Sequence, residues 1–166
     1  MKRALLLSLS VVLLAITSFA QQTQPLLTID GKIATPITIT ANDWAKLPHT
    51  TVTAHHGHGK ETHQFEGVPL KALLEKAGVV DPQKELKGKA MLQFVVITAS
   101  DGYRALFSIG EIDAATGATT DVLVADKLDG KPLDAHEGPL QLVVPTDKRP
   151  SRAARMVSRI TVGSIE

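Results

Sequence analysis

The chain of 166 residues contains no cysteine. That absence removes disulfides, thiolate metal ligands, a cysteine nucleophile and a lipidated N-terminal cysteine from consideration. Aromatic residues are scarce at 4%, with one tryptophan, Trp44, and one tyrosine, Tyr103. An excess of charge of one sign is also lacking, since 18 basic residues stand against 17 acidic ones. A nucleic-acid-binding domain carries strong net basicity, or a basic stripe with stacking aromatics, and neither is present. After residue 20 no apolar run approaches the roughly 20 residues that a membrane-spanning helix requires.

What is present begins with a leader. Lys2-Arg3 precedes an uncharged, mainly apolar stretch over residues 4–16, and the segment closes on Ser18-Phe19-Ala20. This is the layout of a secretory signal peptide over residues 1–20, cleaved after Ala20. The expected location is therefore periplasmic or secreted. Residues 21–166 then form a single domain, long enough to bury roughly two thirds of its unfolded surface around one core. Losing Lys2 and Arg3 takes the basic count from 18 to 16 against 17 acidic residues, so the net charge moves from +1 to about −1. The pI of 8.0 belongs to the precursor.

The mature chain is organised around residues 55–78, a histidine-bearing hairpin that runs into Gly67-Val68-Pro69-Leu70 and a short helix. Pro69 suits the first helical position, where its missing N–H would have no partner, and Gly78 suits the left-handed position after the end. Leu70, Leu73, Leu74 and Ala77 follow the i, i+3, i+4, i+7 spacing of one apolar stripe, with Lys71, Glu75 and Lys76 opposite.

Elsewhere, residues 26–30 and 36–40 read as strands around an Asp30-Gly31 hairpin turn. Thr40 with Asp43 reads as a capping box for a helix that Pro48 stops, with Trp44 and Leu47 facing inward. Residues 50–56 and 60–65 form the hairpin, with Gly57-His58-Gly59 at its tip. Residues 81–89 are a polar surface connection. Residues 91–99 read as a central strand buried on both faces, and Ser100-Asp101-Gly102 turns the chain into a half-buried return strand carrying Tyr103, Ala105 and Phe107. Ser108 and Glu111 form a second capping box. Residues 121–126 and 140–144 are further strands, and a closing strand begins near Met156. About eight strands in hairpins with three or four short helices predict an α+β domain of antiparallel and mixed sheets.

Four motifs stand in order along this chain: Phe65-Glu66-Gly67-Val68-Pro69-Leu70 with its helix to Gly78, Ser100-Asp101-Gly102-Tyr103, Gly138-Pro139-Leu140-Gln141-Leu142-Val143-Val144-Pro145, and Ile160-Thr161-Val162. Together they resemble the oxidoreductase molybdopterin-binding domain of sulfite-oxidase-like enzymes. The resemblance implies that family's mixed α+β fold, a molybdopterin pocket between loops, and a metal held by one cysteine thiolate. By the spacing from Gly67, that cysteine would fall at or next to His55, and this chain has none. Exported enzymes of this kind usually cross the membrane folded, with a twin-arginine signal; here the leader has only Lys2-Arg3.

Two clusters are candidate sites. His55, His56, His58 and His63 lie within nine positions, with Glu61 among them. If His55 pairs with Glu61, then His55, Glu61 and His63 share a face; a register one residue away puts His56 in that group instead. Two imidazoles and a carboxylate suit zinc or copper(II), with His58 or water completing the set. The second cluster is Lys148, Arg149, Arg152 and Arg155. The resemblance places a cofactor-phosphate contact near there, and guanidinium groups bind phosphate bidentately. His136-Glu137 could supply a proton-transfer pair.

The favoured expectation is an exported module that binds a small anionic ligand, a pterin or a metal ion, without molybdenum catalysis. One alternative is a molybdopterin-dependent oxidoreductase. Another is a subunit that docks on an exported redox partner. No nucleic acid is expected as a partner, and no membrane span after leader removal.

Overall fold

The structure is a computed structural model that describes residues 24–57, 59, 61–113 and 122–165. The leader and His58 lie outside the described residues. Among the described residues, ten strands form two five-stranded sheets. The first sheet runs β2 (Ile37–Thr40), β1 (Pro25–Gly31), β10 (Val157–Ser164), β5 (Gln93–Ala99), β6 (Arg104–Ser108), and its β1–β10 pair is parallel while its other pairs are antiparallel. In the second, the hairpin strands β3 (Thr50–His55) and β4 (Thr62–Pro69) lead to β7 (Leu123–Leu128). The far edge of β7 is shared by β8 (Lys131–Pro132) and β9 (Gln141–Val143). The α+β expectation holds, with three short helices: α1 (Ala41–Trp44), α2 (Leu70–Lys76) and α3 (Ile109–Ile112).

Both capping boxes form as the sequence predicts, Thr40 with Asp43 and Ser108 with Glu111. The apolar stripe of α2 buries Leu70, Leu73 and Leu74 completely. Gly78, at φ +70°, ends this helix in a Schellman turn, its N–H bonding the Glu75 carbonyl and that of Val79 bonding Leu74. Pro69 sits one place earlier than expected, as the N-cap. It is also the last residue of β4, opposite Leu123, so sheet pairing sets the helix start and the Leu70 N–H is taken by the Val122 carbonyl.

Two other expectations are corrected. Asp30-Gly31 is not a tight turn: β1 runs through Gly31, and the loop to β2 spans residues 32–36. The glycine is needed because a Cβ there would stand 2.2 Å from the Val162 carbonyl oxygen of the neighbouring β10. Nor is β5 buried on both faces. Val95, Ile97 and Ala99 point into the core, whereas Phe94, Val96 and Thr98 are half-buried on the outer face, where Leu106 of β6 is 57% exposed.

The strand covered on both sides is β7. Val124 joins the main core that links the two sheets to α2, while Leu123 and Ala125 point the other way into a second cluster with Val52, Ala54, Phe65 and Val143. Close packing of β4 on β7 depends on Gly67, at a bulge in the pairing. A Cβ at that position would lie 2.1 Å from the Val124 carbonyl oxygen and 2.5 Å from the Ala125 Cα. Gly67→Ala should therefore cost about 1–3 kcal/mol, the range for forcing atoms into a packed interior, read as a lower urea midpoint. An unchanged midpoint would show that β4 and β7 can part here without loss.

Candidate functional site

The hairpin adopts the second of the two registers, with Ala54 opposite His63 and His55 opposite Thr62. Residues directly opposite share a face, so His63 lies on the side of Ala54, and His55 is on the other. His56, just past the end of β3, turns its ring to within 5.6 Å of the His63 ring centroid. The carboxylate expected from Glu61 is absent, since that side chain is exposed. Each imidazole is instead held by an acid from a distant segment. His56 Nε2 lies 2.7 Å from Glu137 Oε1, and His63 Nδ1 lies 2.8 Å from Asp129 Oδ2. Asp129 also accepts the Gln64 N–H at 2.9 Å. The His63 ring first, then this N–H, hold the Asp129 carboxyl below its ordinary range. Among the described residues no three histidine or acidic side chains converge as metal ligands. The expected set of His55, His56, Glu61 and His63 is thus not assembled, because register turns His55 away and two nitrogens are already committed.

The basic loop divides by role. Arg152 is a clamp: its Nε and Nη2 reach the two oxygens of Asp147 at 2.9 and 2.7 Å, and its Nη1 reaches Glu111 at 2.8 Å. The guanidinium also stands 4.5 Å over the Phe107 ring. Asp147, against the effect of burial, raises the Arg152 pKa above its usual value, and Glu111 adds to this. Burial alone would raise the Glu111 carboxyl, but its bonds to the Ser108 backbone and to Arg152 win and hold it low. Arg155 Nη2 approaches Glu137 Oε1 at 3.3 Å. Glu137 is thereby engaged by His56 and Arg155 while only 6% exposed. It does not form the expected pair with His136. Lys148 and Arg149 make no such contact among the described residues and line a cavity.

That cavity, about 350 Å³, lies over the second cluster, with Phe65 and Val143 in its wall and His55 at its rim. A second, of about 330 Å³, is lined by Asp101, Tyr103 and Arg155. Asp101 caps its own turn by accepting the Tyr103 N–H, and the Tyr103 hydroxyl donates to the Ser151 carbonyl. The cavities share Gly57, Gln141, Pro150 and Ala153, so they are two ends of one cleft. Gln141 is 4% exposed and its Oε1 has no hydrogen-bond partner among the described residues, an omission that typically costs about 1–3 kcal/mol. Sequence reading passed over this residue. Its signal was there, as the one polar residue inside the apolar run Leu140-Gln141-Leu142-Val143-Val144.

The profile of the oxidoreductase molybdopterin binding domain matches residues 17–166. The chain belongs to this family. The sulfane dehydrogenase SoxCD from Paracoccus pantotrophus is similar in structure, with a TM-score of 0.64 at 22% identity over 86% of this chain. The match spans only 38% of that enzyme's chain. No curated protein matches in sequence.

Whether the family cofactor suits these residues has two answers. Its organic part fits: Lys148 and Arg149 offer cations for a phosphate, and the buried Gln141 carbonyl lacks a donor. Its metal does not find the family ligand, because no thiolate exists in the chain and the nearest side chain to that place, His55, is a harder, neutral donor. No redox step is derived through it.

The Arg152 clamp generates a pH dependence. A carboxylate whose folded-state pKa is depressed stabilises the fold above its unfolded-state pKa, and that contribution is lost as pH falls through the folded-state value. The thermal midpoint should hold near neutrality and fall below about pH 4 as Glu111 takes up its proton. Arg152→Met should lower stability at pH 7 by about 1–3 kcal/mol and flatten the acid limb. A variant that tracks the wild type through both limbs would mean that the clamp contributes nothing.

Proposed function

We propose that this protein is an exported binding module of the molybdopterin-binding family, which takes a small anionic, pterin-like ligand in the cleft and does not hold molybdenum through a thiolate. One observation carries the reading: the cleft presents Lys148 and Arg149, unlike the paired Arg152 and Arg155, beside an unsatisfied buried amide, in a chain without cysteine. Two cations without an internal partner among the described residues favour an anionic group, and the apolar wall of Phe65 and Val143 favours a flat ring beside it. Export is supported by the leader pattern of residues 1–20.

Calorimetric titration with a pterin monophosphate tests the binding. Lys148→Ala/Arg149→Ala should weaken affinity by about 10–100-fold, tenfold for each charge-assisted contact of about 1.4 kcal/mol. The urea midpoint should stay within about 0.5 kcal/mol, as for surface substitutions generally. Protein purified from its native periplasm should begin at Gln21 by intact mass. Stoichiometric molybdenum in that preparation would overturn the reading in favour of an oxidoreductase.

A further inference from the structure

Gln141 stands on β9 where the strand borders the cleft, in the wall common to both cavities. Its neighbours Leu140 and Leu142 are fully buried in the main core. The strand is therefore fixed, and the amide is fixed with it as far as its last torsion. That torsion, between an sp³ and an sp² carbon, is soft. Because the residue lines both cavities, turning about this bond would carry the oxygen toward a ligand in the cleft. Among the described residues no group donates to that oxygen, although buried carbonyls are normally satisfied.

We propose that Gln141 is the specificity-determining residue of the cleft, its Oε1 accepting a hydrogen bond from a ring N–H of the ligand. This rests on the reading above and narrows it: the ligand is a heterocycle with an N–H edge, seated across the wall between the two cavities, with its anionic group toward Lys148 and Arg149. A fully ionised oxyanion such as sulfate has no donor for this position and would leave the amide as it is. Discrimination by a buried acceptor is strong because the wrong ligand covers the acceptor and leaves it unpaired.

The test is a cycle of two ligands and three proteins, read by calorimetry. The ligands are 6-hydroxymethylpterin and an analogue in which methyl groups replace every ring and exocyclic N–H. The proteins are the wild type, Gln141→Met, which keeps the shape without the acceptor, and Gln141→Glu, which keeps an acceptor. The wild type should prefer the N–H-bearing ligand by at least tenfold more than Gln141→Met does, and Gln141→Glu should retain most of that preference. Steric effects of the methyl groups cancel in the comparison. The side-chain amide resonance of Gln141 in the wild type should also move at saturation, a readout that needs no variant to fold.

Equal preferences in wild type and Gln141→Met, or an unmoved Gln141 amide resonance, would overturn the inference. If a pterin monophosphate binds through Lys148 and Arg149 and Gln141→Met leaves its affinity unchanged, the binding reading survives and the role of Gln141 does not. If neither pterin binds the wild type at all, both fall.

Discussion

Burial of β7 on both faces is the constraint from which the rest of the structure follows. Val124 on one side and Leu123 with Ala125 on the other leave the first half of this strand no wet face, so its neighbours there must approach closely and in one register. Gly67 permits the approach from β4, where any side chain would meet backbone atoms. From the other edge β9 pairs through Ala125 and Gln141, which brings a polar residue beside the second cluster. The floor of the cleft is thus a by-product of core packing. Phe65, Val143 and Ala54 would be surface if the second sheet had a single covered face.

Over that floor the loops are held by charge pairs, and the pairs sort the basic residues into two kinds. Arg152, saturated by Asp147 and Glu111 and stacked on Phe107, ties residues 145–152 to α3 and β6. Glu137, gripped by His56 and Arg155, ties the hairpin tip to residues 137 and 155. Such paired charges are spent on holding loops in place, since each loses most of its attraction for a further ion once a partner is in contact. Lys148 and Arg149, carried on the loop that the Arg152 clamp fixes, have no such partner among the described residues.

Much of this was legible in the sequence where local chemistry decides. The two capping boxes, the α2 stripe, the Gly78 stop and the four ordered motifs depend on neighbours a few residues apart. What was not legible depends on pairing across the chain. Residues 91–99 make a longer apolar run than Leu123-Val124-Ala125, yet β5 has a half-covered face and those three residues of β7 are buried on both, because a short apolar run does not reveal how many layers lie over it. The hairpin register was open between two choices one residue apart, and tertiary partners at Glu137 and Asp129, 81 and 66 positions from their histidines, accompany the one adopted. Asp30-Gly31 has the composition of a turn, but its glycine answers to Val162, over a hundred residues later.

The missing cysteine and the orphan amide bear on each other. A family cleft that held its metal through a thiolate would draw affinity from that bond, and a chain with no thiolate must find it in the organic part of the ligand. Two cations alone would bind any small oxyanion, with little selection among them. The added element that could select is one whose satisfaction requires a ring donor, and in this cleft Gln141 is the buried side chain with an unmet acceptor. Replacing a metal bond by a charge contact and one buried hydrogen bond lowers the attainable affinity but keeps recognition of the ring, because an unpaired buried carbonyl penalises every ligand that lacks the N–H. By that reasoning such a cleft suits reversible binding of a free ligand better than permanent possession of a cofactor.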